Sequence, residues 1–102
     1  MNTIEQIQAW YASQCNGEWE HQYGMSIDTL DNPGWAVSID LIDTNLENAT
    51  MIPYQRDASD NDWVFCEIKD GKFIGNGSPD KLSIILEIFT SLFSEKQCPA
   101  SG

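Results

Sequence analysis

Glu18 and Glu20 stand two residues apart in Gly17-Glu18-Trp19-Glu20-His21, a spacing that on an extended strand turns both carboxylates to one side. Paired carboxylates are the equipment of a glycosidase, which needs one of them buried or charge-paired so that it keeps a proton at neutral pH. Nothing near them supplies that burial, so two solvent-facing acids is the plainer reading. His21 is the only histidine and falls on the apolar side of the same alternation, as a core or interface histidine does. A catalytic base would also need a nucleophile and an orienting acid, and no Gly-x-Ser-x-Gly or comparable signal accompanies it. Cys15 sits at the end of a helical segment, where the negative end of the helix dipole disfavours a thiolate. The run Asp57-Ala58-Ser59-Asp60-Asn61-Asp62 has the acid density of a calcium loop but lacks the glycine and terminal glutamate of an EF-hand. These residues assign no catalytic group, no metal site and no cofactor.

The charge balance says more. Sixteen acidic against five basic residues give a formal net charge of −11. Nucleic acid and anionic membrane are repelled before contact, whereas a basic partner is drawn in. Acidity also serves solubility, which is the bland account of the same number. The three cysteines, Cys15, Cys66 and Cys98, are an odd set without a Cys-x-x-Cys spacing, which fits reduced thiols better than disulfides or zinc. Cys66 lies in an apolar run and reads as a small core hydrophobe. No apolar run reaches the ~18 residues that span a bilayer, and the first residues lack the features of a signal peptide. A cytoplasmic location is the expectation.

The elements that must position these groups follow from periodicity. Residues 3–15 read as an amphipathic helix, with Thr3 and Gln6 as a capping box, Ile4, Ile7, Trp10 and Tyr11 on one face, and Asn16-Gly17 as the stop. From Glu18 the period becomes two: Trp19, His21, Tyr23, Met25, Ile27 and Thr29 alternate with polar or small residues, predicting one long half-buried strand. A second strand carries Trp35, Val37, Ile39 and Leu41. Between them, Asp31-Asn32-Pro33-Gly34 reads as a type II turn, with glycine at the positive-φ position. Parity allows Thr29 opposite Trp35 around a five-residue loop or Asp31 opposite Trp35 around a three-residue one. The five-residue loop, which also brings Ile27 opposite Val37 and Met25 opposite Ile39, is the favoured reading.

Ala49–Tyr54 is a candidate short strand and Arg56–Asp62 a polar loop. Trp63–Lys69, the Asp70-Gly71 turn and Lys72–Asn76 form a hairpin with Lys69 opposite Lys72. One face of that hairpin carries Val64, Cys66, Ile68 and Phe73; the other carries Trp63, Phe65 and Ile74 with Glu67. Both faces are partly apolar, so this hairpin is either covered twice or exposes a patch. Ser78 and Pro79 open the last helix as N-cap and first helical residue. Leu82, Ile85, Leu86, Phe89, Leu92 and Phe93 form its stripe. The fold class is α+β: an antiparallel sheet of four to five strands between an N-terminal and a C-terminal helix, both on one sheet face. Residues 1–94 are expected to form a single domain and 95–102 a disordered tail. Trp10 and Trp19 read as core. Trp35, after the turn, either caps the sheet or anchors a partner, and aromatic anchors ringed by acids suit a binder of a basic protein.

One set of residues carries a resemblance. Trp10-Tyr11, Cys15, Gly17, Trp19-Glu20-His21, Tyr23-Gly24, Ile27 and Thr29-Leu30-Asp31-Asn32-Pro33-Gly34-Trp35 together resemble the bacterial immunity protein 53 family, with its Trp-Glu and Pro-Gly-Trp motifs intact. The likeness continues through Asp40-Leu41, Asp62-Trp63 and Gly71-Lys72-Phe73 to a helix ending near Phe93. The resemblance implies a non-enzymatic protein that neutralises a polymorphic toxin encoded beside it, by direct binding in the cytoplasm. The acidity fits a basic toxin domain, such as a nuclease.

The expected partner surface comprises Glu18, Glu20, Asp28, Asp31, Asn32 and Trp35, with Asp57, Asp60 and Asp62 second. The expected state is a monomer or weak homodimer. Two other readings stand beside it: a small enzyme using Cys15 or the Glu18/Glu20 pair, which a deep pocket around either would favour, and a module that self-associates through Trp63, Phe65 and Ile74.

Overall fold

The computed structural model describes residues 2–94. The chain runs α1 (Thr3–Gln14), α2 (Trp19–Gln22), β1 (Met25–Leu30), β2 (Gly34–Asp40), β3 (Tyr54–Ser59), β4 (Asp62–Lys69), β5 (Lys72–Gly77) and α3 (Leu82–Ser94). The strands form one antiparallel sheet in the order β1-β2-β5-β4-β3. This is the α+β architecture expected from the periodicities. The expected 95–102 tail lies outside the described residues.

Parity decides which side of the sheet is buried. Ile39 opposes Phe73, which opposes Ile68; Val37 opposes Gly75, which opposes Cys66; and opposed residues share a face. This face meets Ile7 and Trp10 of α1 and Ile85, Leu86 and Phe89 of α3 in one core cluster. Leu41 and Leu46 of the β2–β3 connection join it. Both long helices therefore lie on one side. Gly75 makes the close approach of α3 to β5 feasible, since a Cβ there would stand 2.5 Å from Ile85 Cγ2. Cys66 is fully buried in this core, and burial pushes its thiol up to about 11.

Several local expectations give way. The long strand from Glu18 does not form: residues 19–22 are helical and only Met25–Leu30 is strand. Asn16 Oδ1 accepts from the N–H groups of Glu18 and Trp19, both at 2.9 Å. Glu20 reaches back to the N–H groups of Asn16 (3.0 Å) and Gly17 (2.9 Å). This reciprocal bonding closes a turn where an extended chain would have run on. Trp19 and Tyr23, four residues apart, also share a helical face, so the alternation fitted both periods. His21 consequently lies exposed on α2 rather than in the core. In α1, the capping box is Asn2 with Glu5 rather than Thr3 with Gln6, while Ile4 and Tyr11 are exposed.

The β1–β2 register is the expected one, Thr29 to Trp35, Ile27 to Val37 and Met25 to Ile39, with one further pair, Leu30 to Gly34, shortening the loop to residues 31–33. Its turn is not type II: the Asn32-Pro33 peptide is cis and Gly34 does not have positive φ. Glycine is needed at 34 for space, because a Cβ would collide with the carbonyl oxygen of Gly77. Strand and loop are exchanged between 49 and 62: Tyr54–Ser59 is the strand, with a register shift between Asp57 and Ser59, and residues 49–53 are not strand. Exposure hid it, since every residue of β3 faces solvent and no alternation of apolar residues results.

The Asp70-Gly71 turn forms as expected, both residues at positive φ and Lys69 opposite Lys72. Ser78 does not cap α3, which starts at Leu82. Its buried hydroxyl instead lies 3.2 Å from both the N–H and the carbonyl of Trp63, tying the end of β5 to β4.

Candidate interaction surface

The expected partner residues divide between the two ends of the sheet. Glu18 lies just before α2 and Glu20 within it, beside the end where Gly24 meets Asp40. Asp31 and Asn32 form the β1–β2 turn at the other end, about 20 Å away along six residues of strand. The β3–β4 hairpin, with Asp57, Asp60 and Asp62, projects from that same end, because Trp35, Gly77, Val64 and Arg56 are aligned across the sheet.

Around α2 a shallow cleft of about 170 Å³ is lined by Asn16, Glu18, Trp19, Gln22, Tyr23 and Asp43. Glu18 is exposed. Glu20 is occupied: hydrogen bonds from its own N–H and those of Gly17 and Asn16 hold its carboxyl below the usual range, with His21 adding to the effect. Trp19 is buried and donates from Nε1 to the Ile42 carbonyl at 3.0 Å. Cys15 Sγ lies 3.3 Å from the Tyr11 carbonyl oxygen, and Cys15 in turn pushes the Tyr11 phenol up. Among the described residues, no hydrogen bond joins Cys15 to His21 or Glu18 to Glu20.

At the opposite end, Trp35 is half-buried on the helix side of the sheet and packs against the core. Asp62 pairs with Lys81 at 2.9 Å and with Arg56 at 3.3 Å, and these cations, Lys81 foremost, hold its carboxyl low. Asp80 is held low in the same way by Lys81, and Asp62 and Asp80 raise Lys81 in return. Asp28, Asp31, Asn32, Asp57 and Asp60 are exposed.

The pairing of bases shapes the surface potential. Arg56, Lys72 and Lys81 are each held in ion pairs with acids of the same chain, Lys72 with Asp40 at 2.7 Å. Among the described residues only Lys69 stands outside these pairs, whereas Glu18, Asp28, Asp31, Asp57, Asp60 and Glu67 all do. Opposed to the helices, the second sheet face carries Ser26, Asp28, Ala36, Ser38, Ile74, Asn76, Phe65, Glu67 and Trp63, none of them buried. Sequence reasoning placed Trp63, Phe65 and Ile74 together there; Asp28 joins them only through the strand order.

Among the described residues no helix is long and apolar enough to cross a membrane, and no group of three or more His, Cys, Asp or Glu residues is arranged to hold a metal ion. No curated protein and no solved structure matches this chain. A family model described as immunity protein 53 matches residues 4–94, from the first turn of α1 to the last of α3. Since that match spans every element of the fold, the chain belongs to the immunity protein 53 family.

Proposed function

We propose that this protein neutralises a cognate polymorphic toxin in the cytoplasm by binding it directly, without catalysis, through an acidic surface. Family membership supplies the role of immunity protein and the toxin as partner. The observation that carries the electrostatic part is the internal pairing of Arg56, Lys72 and Lys81, which leaves the exposed carboxylates facing outward uncompensated. Such a field steers a basic domain, such as that of a nuclease, and the same field opposes nucleic acid. The fold from residue 1 to 94 acts as one unit in this reading. Glu18, Asp28, Asp31, Asn32, Asp57 and Asp60 offer the contacts, while Glu20, Trp35 and Asp62 brace the turns that present them.

The test is calorimetric titration of the purified protein with the toxin domain encoded beside its gene, repeated from 50 to 500 mM salt. A one-to-one complex whose affinity weakens as salt rises is the expected outcome. Tight binding indifferent to salt would remove the electrostatic part, and absence of binding would remove the whole reading.

A further inference from the structure

The sheet has one face without a cover. Across it, β1 contributes Ser26 and Asp28, β2 contributes Ala36 and Ser38, β5 contributes Ile74 and Asn76, and β4 contributes Trp63, Phe65 and Glu67. The apolar residues cluster on β4 and β5, small residues occupy β2, and Asp28, Asp57 and Glu67 stand around them, none in an ion pair. At its β3 side the face dips into a cleft of about 110 Å³, lined by Gln55, Arg56, Asp57, Trp63, Val64 and Phe65, where Arg56 is itself paired with Asp62. The shift in strand register at Asp57 falls at this cleft.

We propose that this uncovered face is the toxin-docking surface, and that the cleft receives one arginine or lysine side chain from the toxin. The inference rests on the immunity reading above and says where on the molecule it operates. Three observations converge on a basic protein as occupant. The cleft has the volume of a single side chain, with a tryptophan on one wall and an unpaired carboxylate on another, the two groups that hold a desolvated cation. The apolar centre has the anatomy of an interface core and rim, and the rim is mostly acidic. Asp28, Asp57 and Glu67 stand unpaired there, with Lys72 held by Asp40 and Lys69, among the described residues, as the one unpaired base at the far end of the face. A second copy of this chain would bring the same charge of −11 and, about a two-fold axis, the same acids to the same patch. The sheet face spans roughly 20 by 20 Å, about half the ~800 Å² per partner of a standard interface, so the flanking turn at Asp31-Asn32 and the hairpin tip at Asp60 extend it.

The experiment compares the wild-type protein with Trp63→Ala, Asp57→Lys and Glu67→Lys for binding to the toxin domain encoded beside the gene, with Glu87→Lys on the exposed side of α3 as the reference substitution. Trp63→Ala should weaken binding about 30-fold or more, as loss of a buried aromatic anchor does. The two charge reversals, at exposed or rim positions that do not pack the core, should lower the association rate about tenfold at low salt. Glu87→Lys should bind as the wild type does. If the wild type binds and all three sheet-face variants bind equally well, the docking surface is elsewhere and the immunity reading survives. If the wild type does not bind, both fall together. Light scattering showing a dimer that Trp63→Ala dissociates would identify a second copy as the occupant and overturn the proposal.

Discussion

Trp35 donates from Nε1 to the carbonyl of Pro79 at 2.8 Å, fastening the start of β2 to the turn that leads into α3 across 44 residues of sequence. The Pro-Gly-Trp signature is therefore a structural joint: Gly34 clears the Gly77 carbonyl, and Trp35 closes over the following turn. Trp35→Phe keeps the ring against the core but removes the donor. Urea denaturation should show a loss of about 1 kcal/mol, the net worth of one hydrogen bond. A change in toxin affinity larger than that in stability would instead give Trp35 a direct contact with the partner.

The loop before α2 makes stability depend on pH. The carboxyl of Glu20 is lowered from its ordinary 4.5 by hydrogen bonds from backbone N–H groups, so the folded state binds its proton less readily than the unfolded chain does. A depressed folded-state value means that its stabilisation is complete above about 4.5 and is lost as pH falls through the lower folded value. Melting temperatures of wild type and Glu20→Gln should differ at pH 7 and converge as the pH falls from 4.5 through the lower folded value. A difference that is constant across this range would show that the carboxylate is not the cause.

Gly75 sits where α3 comes nearest the sheet. Its side-chain position is filled by Ile85, so Gly75→Ala must push the helix away or displace Ile85. The expected cost is about 1–3 kcal/mol in a denaturant titration, as for other overpacked core sites. Adding Ile85→Val to this variant should recover part of the loss, because it thins the same contact. If Gly75→Ala is neutral, the helix–sheet distance is more adjustable than the packing implies.

Residues whose surroundings are set by neighbours in the chain were legible before the structure. The 3.6-residue stripe of Leu82 to Phe93 is a helix because only that spacing puts its apolar groups on one side. The pairing of Lys69 with Lys72 follows from parity and turn length, and that of Thr29 with Trp35 is one of the two registers that parity allows. Trp19 misled because spacing of four satisfies both a strand and a helix. The decision came from Asn16 accepting from the N–H groups of Glu18 and Trp19 while Glu20 accepts from those of Asn16 and Gly17. The strand Tyr54–Ser59 was hidden because a fully exposed edge has no buried face to imprint a pattern. The same limit applies to the surface: charge and aromatic content were visible as totals, but not which groups share a face.

By itself, then, the sequence determined the class of fold, the core helices and hairpins, the acidity and the family signature, because each depends on local spacing or on composition. Tertiary structure decided the strand order that seats Asp28 and Glu67 on the same face as Trp63 and Phe65, and the pairing of Arg56, Lys72 and Lys81 with their own acids. It also decided that both long helices cover one side and leave the other bare. Those are relations between residues distant in the chain, fixed by how the strands pack across one another, and spacing along the chain carries no record of them.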